Sequence, residues 1–311
     1  MTTFVVNLFG KLEVQHNGHL LNTLSTRKVQ ELFAYLLLYR KQLHRRETLA
    51  TLFWGKGTTT QALKCLRQTL WQLQMALDCA NRPDAANVLL VDSEWIGLNP
   101  QTNLWLDVAE FEQAFDRVQG VRGQQLDLAT AQRLQNTVQL YQGDLLDGWY
   151  QDWCLYERER LQNMYLAMLD KLMGYCERHQ QYDTGVTYGT QVLKYDRARE
   201  RTHQRLMRLH YLADNRTSAL RQYERCVTTL EEELGVVPAK STVALYEQIQ
   251  ADQLYGSRPT LPQVSPSLET TMTVLPKIVK DLKQLHHLLT DVQHQVERDI
   301  QAVEAVLKDR R

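Results

Sequence analysis

Lys64, Gln68 and Gln72 recur at four-residue steps and therefore share one face of any helix that carries them. A glutamine amide pairs bidentately with adenine, and a lysine ammonium reaches guanine O6 or N7, so groups spaced by one helical turn suit hydrogen bonding to base edges in a major groove. Trp71 and Arg67 stand at the two edges of this polar face. The indole offers a surface to a sugar or a thymine methyl, and the guanidinium offers a charge to a phosphate. Arg45 and Arg46 add two more guanidinium groups at the expected start of another helix, where they would meet phosphates and set register.

Other chemistry finds little support in the residue types. Gly55-Lys56-Gly57-Thr58 looks like part of a phosphate loop, but it lacks the upstream glycine at the Walker spacing and has Gly57 where Ser or Thr should follow the lysine. There is no Gly-x-Ser-x-Gly elbow, no HExxH pair and no acidic cluster with metal-ligand spacing. A non-enzyme without cofactor or metal is expected. Cys65, Cys79, Cys154, Cys176 and Cys226 are odd in number and scattered, which favours reduced thiols in or near cores. His286, His287 and His294 read as surface residues of a helix.

The elements that must hold the polar face follow from periodicity. Leu66, Leu70, Leu73 and Leu77, with Ala62 and Leu63 at the start, form one apolar stripe and predict a helix over 58–77. Before it, Phe4 to Leu8, Leu12 to Val14 and Leu20 to Leu21 read as short strands, with an Asn17-Gly18 hairpin turn. Ser25 is the expected N-cap of a helix through Arg40 whose Val29, Leu32, Phe33, Leu36 and Leu37 face inward. A second helix opens at Arg45, Arg46 and Glu47 and ends near Trp54 and Gly55. After the third helix come two apolar runs, Val88 to Val91 and Trp95 to Leu98, joined by the acidic Asp92-Ser93-Glu94. Strands, three helices and a hairpin are the order of a winged helix, in which the third helix enters the major groove and the hairpin is the wing.

The formal charge of zero conceals a partition. Residues 1–86 contain 11 Lys or Arg against 5 Asp or Glu, whereas residues 107–252 contain 17 against 22. Only the first region suits a polyanion. No apolar run approaches the roughly 20 residues that span a bilayer, and a soluble, cytoplasmic, nucleoid-associated protein with no membrane partner is expected.

From Asp107 to about Asp252 the chain reads as successive amphipathic helices. Aligning YDTGVTYGTQVL from Tyr182 with RTSALRQYERCV from Arg216 gives an offset of 34 residues, which sets Gly185 over Ala219 and Val192 over Cys226. The same offset sets Leu172 over Leu206 and Met173 over Met207. This is the tetratricopeptide period, with small residues where paired helices touch, and it predicts a stacked solenoid with a groove. Met164, Met168, Met173 and Met207, with Tyr165, Tyr175, Tyr182, Tyr188 and Tyr211, read as core and groove packing. Leu234-Gly235-Val236-Val237-Pro238 stops a helix, and a last one runs from Ser241 to about Asp252. Residues 254–267 form a Pro-rich linker. Beyond it, Leu275, Leu282, Leu289, Val296 and Val303 repeat at sevens, as do Ile278, Leu285, Val292 and Val306, with Asp299 the one exception. That pattern predicts a coiled-coil or docking helix over 268–311 and a homo-oligomer, a dimer first.

Several stretches together resemble a known family. RKVQELFAYLLLYRKQLHRRETLATLFW, ALKCLRQTLWQLQMAL and IGLNPQTNLWLDVAEFEQAF are similar to the response-regulator type of winged helix and its junction. YQGDLLDGWYQDW followed by ERERL, and EEELGVVP followed by LYEQI, are similar to the bacterial transcriptional activator domain. The two in this order, over about four fifths of the chain, resemble the Streptomyces antibiotic regulatory protein family. The resemblance implies a mainly α protein with a small β component: a winged helix over 1–100 and a tetratricopeptide-like domain over 105–253. It further implies a sequence-specific regulator of transcription, an activator, that binds double-stranded DNA and uses its helical domain for dimerisation and activation. RNA polymerase, or a protein or peptide in the solenoid groove, would be its protein partner. Where the family commonly has Arg late in the third helix, this chain has Gln72 and Gln74. An assembly that brings two reading heads to one site would compensate for the missing charge. The alternative is a scaffold or adaptor whose winged helix no longer binds DNA.

Overall fold

The computed structural model describes residues 4–21, 23–24, 26–77 and 88–254. The linker from Tyr255 and the heptad positions Leu275 to Val303 lie outside them, as do Ser25 and Cys79. The described chain is mostly helical with two small sheets, an α protein with a minor β component.

Alternating apolar residues make β1 (Phe4–Asn7) and β2 (Glu13–His16), which pair antiparallel, and β3 (His19–Leu20) returns against β2. Asn17 and Gly18 both have positive φ (51° and 81°), the conformation that a two-residue hairpin of this twist requires. Next come α1 (Arg27–Leu38), the two-residue strand β4 (His44–Arg45), α2 (Arg46–Trp54) and α3 (Thr59–Leu77). The N-cap position of α1 is Thr26, not the expected Ser25, and Tyr39 closes the helix with its N–H bonded to Tyr35 O, one residue before Arg40. The wing is β5 (Leu89–Val91) and β6 (Trp95–Leu98), and β4 pairs with β6 to make a three-stranded sheet.

The first sheet is completed from the far side of the wing. β7 (Leu104–Leu106) runs parallel to β1, with Val6 opposite Leu106, and leads directly into α4 (Asp107–Val118). Asp107, 2% exposed, turns back on β1: its Oδ2 accepts from the N–H groups of Leu8 (2.7 Å) and Phe9 (2.9 Å), and its Oδ1 accepts from Val108 N–H. Then follow α5 (Leu128–Val138), α6 (Asp152–Arg178), α7 (Tyr182–Tyr195), α8 (Glu200–Leu212), α9 (Arg216–Leu234) and α10 (Lys240–Gln250). From α6 onward each helix packs on its predecessor, and the four pairs related by the 34-residue offset are all buried. Gly235 (φ 65°) ends α9 in a left-handed cap, its N–H on Glu231 O and that of Val236 on Leu230 O.

One continuous apolar core runs from β1 to α7. Phe9 meets Phe111 and Tyr141 at 4.9 and 4.8 Å between ring centroids, and Trp153 meets Tyr35 of α1 at 5.5 Å. Polar contacts reinforce this junction. Arg27 lies 4.0 Å over the Trp149 ring, Gln151 donates to buried Glu31 at 2.6 Å, and Glu112 bridges Arg40 and Arg160. Burial alone would push the Glu112 carboxyl up, but the two arginines outweigh it and hold it below the usual range. Cys154, Cys176 and Cys226 are buried free thiols, and burial pushes Cys176 to about 11 and Cys226 to about 12. Among the described residues, no helix is long and apolar enough to cross a membrane.

Candidate nucleic-acid interface

Helix α3 begins with a reciprocal cap. Thr58 Oγ1 accepts from Gln61 N–H at 3.3 Å, and Gln61 Oε1 accepts from Thr58 N–H at 3.4 Å, which satisfies two donors that the first helical turn would leave open. The preceding Gly55-Lys56-Gly57 is the turn between α2 and α3, not a loop after a strand. The inner face of α3 is filled by Ala62, Leu66, Leu70, Leu73, Ala76 and Leu77, all buried. What remains outside is the polar face: Lys64, Arg67 and Gln68 are exposed, and Gln72 is half-buried. Trp71 is 62% exposed. It stands within the outward stripe, two turns beyond Lys64 and one beyond Gln68. Met75, 53% exposed, extends the same stripe by four residues. Its type pointed to core, and only the three-four spacing from Lys64 through Gln68 and Trp71 carried the signal.

The three arginines come together beside this stripe. Arg45, Arg46 and Arg67, with Leu63, Glu47, Ser93 and Glu94, line an open cavity of about 490 Å³ between the start of α2, the side of α3 and the wing tip. The two-residue strand β4 brings this about: pairing of Arg45 with Trp95 fixes the α2 start to the wing, and the Arg45 guanidinium lies 5.2 Å from the Trp95 ring centroid. Arg46 donates from its backbone to Glu94 O and from Nη1 to Asp92 O, both at 2.9 Å. Among the described residues none of the three guanidinium groups forms an ion pair. Such a concave, multiply cationic rim suits the phosphates beside a groove.

The acidic wing tip is partly occupied within the protein. Asp92 Oδ1 accepts from the N–H groups of Glu94 (2.7 Å) and Trp95 (2.6 Å). These bonds, chiefly that from Trp95, and the nearby Arg46 charge hold the Asp92 carboxyl below the usual range. Its charge shapes the turn as well as facing outward. Among the described residues no cluster of His, Cys, Asp and Glu has a metal-binding arrangement. A second hollow of about 490 Å³ lies between α5, α6 and α7, lined by Gln135, Tyr141, Tyr165, Asp183, Tyr188 and Gln191 among others.

Residues 106–250 match the model of the bacterial transcriptional activator domain family. The matched segment is the helical repeat region that follows the winged helix. A winged helix followed by a domain of this kind is the order that the sequence resemblance leads one to expect. Among solved structures it is similar to Mycobacterium tuberculosis EmbR in complex with a low-affinity phosphopeptide, at 20% identity and a TM-score of 0.57, over 81% of this chain and 65% of that one. At that identity the likeness concerns the fold. This chain spans a little under two thirds of the length of that relative. Comparison with curated protein sequences returns no match.

Proposed function

We propose that this protein is a sequence-specific, double-stranded-DNA-binding transcriptional regulator, an activator, that reads the major groove with α3. Lys64, Gln68, Gln72 and Trp71 contact bases; Arg45, Arg46 and Arg67 contact phosphates. The observation that carries it is the meeting of two features: an outward stripe on α3 and, beside it, a cavity that gathers three guanidinium groups from α3 and the start of α2. The helical repeats contact a protein or peptide, RNA polymerase included, and the segment from residue 268 joins two copies, so that two heads occupy half-sites about one helical turn apart. The corresponding division is 1–100, 105–253, 254–267 and 268–311.

Gel-shift titration of the full chain against the promoter regions of its own and neighbouring genes, with salt varied, tests this. A specific complex is expected that weakens as salt rises and is lost on combining Lys64→Ala with Gln68→Ala. Neutralising Arg45, Arg46 and Arg67 should lower the log–log salt slope by about 0.9 for each phosphate contact removed. Specific binding that ignores these changes would refute the assigned face, and no specific complex at all would favour a scaffold role. Light scattering with and without residues 268–311 tests the tail, and an unchanged mass would refute self-association through it.

A further inference from the structure

The outward stripe of α3 is as apolar as it is polar. Trp71 and Met75 follow Lys64 and Gln68 at helical spacing and are 62% and 53% exposed, while the inner face is already filled by Leu66, Leu70 and Leu73. An indole and a thioether one helical turn apart can form a contiguous exposed apolar patch, the kind of surface that marks a contact site. The occupant is indicated by charge: the cavity beside the same helix is lined by Arg45, Arg46 and Arg67 with Glu47 and Glu94, and the three guanidinium groups outnumber the two carboxylates, a balance that complements a phosphate backbone. Along the helix axis the two side chains are separated by four residues, about 6 Å. Two base-pair steps at about 3.4 Å each cover the same distance. In the major groove the one apolar group on a base edge is the thymine 5-methyl. Of the outward side chains here, Lys64 is the cation suited to guanine, and it precedes Trp71.

We propose that Trp71 and Met75 read thymine methyl groups, so that the half of the site under the later turns of α3 carries closely spaced thymines recognised by apolar contact. This rests on the DNA-binding role proposed above. The test is to select duplexes bound by the full chain from a random-sequence pool, then remake the preferred duplex with deoxyuridine replacing thymidine at one position at a time. That exchange keeps base pairing and O4 and removes only the methyl. Affinity should fall about fourfold for each methyl that a side chain covers, the factor contributed by burying one methyl-sized group. Trp71→Ala and Met75→Ala, both at exposed positions and checked by circular-dichroism melting, should each bind the thymidine and deoxyuridine duplexes alike at the position that side chain covers. A specific complex indifferent to deoxyuridine everywhere, or variants that keep the methyl preference, would overturn methyl readout and leave DNA binding standing. Failure to select any duplex would overturn DNA binding and this inference with it.

Discussion

Asp107 joins the two halves of the molecule, and its protonation should be readable in stability. The side chain is 2% exposed and serves three backbone N–H donors, those of Leu8, Phe9 and Val108. Burial outweighs those donors and pushes the carboxyl from 3.8 to about 6, a difference corresponding to at most about 3 kcal/mol. The sign follows from linkage. The folded chain retains a proton that the unfolded chain releases, so the contribution is fully present below about 3.8 and is lost as pH rises through about 6. Asp107→Asn, a neutral isostere, keeps a carbonyl oxygen for Leu8 and Phe9 and removes the buried charge. With relaxation around the charge discounted, it should be about 1 to 2 kcal/mol more stable than wild type at pH 7 and should converge with it near pH 4. Asp107→Ala leaves the donors without an acceptor and should fall about 3 kcal/mol below the Asn variant, at about 1–3 kcal/mol per buried unsatisfied donor. Urea unfolding of the three proteins between pH 4 and 7 is the assay. If wild type and Asn give parallel curves, or Asn is as destabilised as Ala, the carboxylate is held by its donors and burial does not govern it.

Two further perturbations probe the same frame. Glu112→Gln keeps the shape but removes the charge shared by Arg40 and Arg160; urea unfolding at pH 7 should show a loss of about 2 kcal/mol that shrinks as the wild-type carboxylate is protonated in acid. Gly123→Ala would place its Cβ 2.1 Å from Lys171 O, backbone with no room to yield, and thermal melting should show a loss of about 3 kcal/mol. Gly143→Ala, whose Cβ would meet nothing closer than 3.6 Å, should stay within about 0.5 kcal/mol of wild type.

What could be read from the chain was whatever repeats locally. The leucine stripe of α3 and the 34-residue offset each express a period that the fold then uses, and the Asn17-Gly18 pair is a turn signal by residue type alone. The pairings that assemble the site have no period. His44 and Arg45 are too few to alternate, so β4 has no sequence signal, although it is the strand that carries Arg45 to the wing and sets Arg46 directly after it. The parallel pairing of β7 with β1 spans about a hundred residues and leaves no local trace. Asp107 reads as an ordinary acid at a helix start, because its burial is decided by β1, which lies far away in sequence. Trp71 could be placed on a helical wheel, but its exposure depends on which neighbours α2 and the wing supply.

Those long-range contacts also determine how a signal from the helical repeats could reach the reading head. The winged helix is not tethered by a flexible joint: β7 belongs to its sheet, Asp107 holds its first strand, and α1 packs on Trp149, Gln151 and Trp153 at the entrance to α6. The same α6 supplies Tyr165 to the hollow between α5, α6 and α7, and Arg160 to the bridge through Glu112 to Arg40. A ligand or partner seated in that hollow would therefore press on the helix that carries the head, through packed side chains and a partly buried ion network. In the proposed assembly the consequence is geometric. With each head fixed to its own repeats, the spacing of two α3 helices is a property of the assembled protein, and half-site separation becomes part of what the protein recognises.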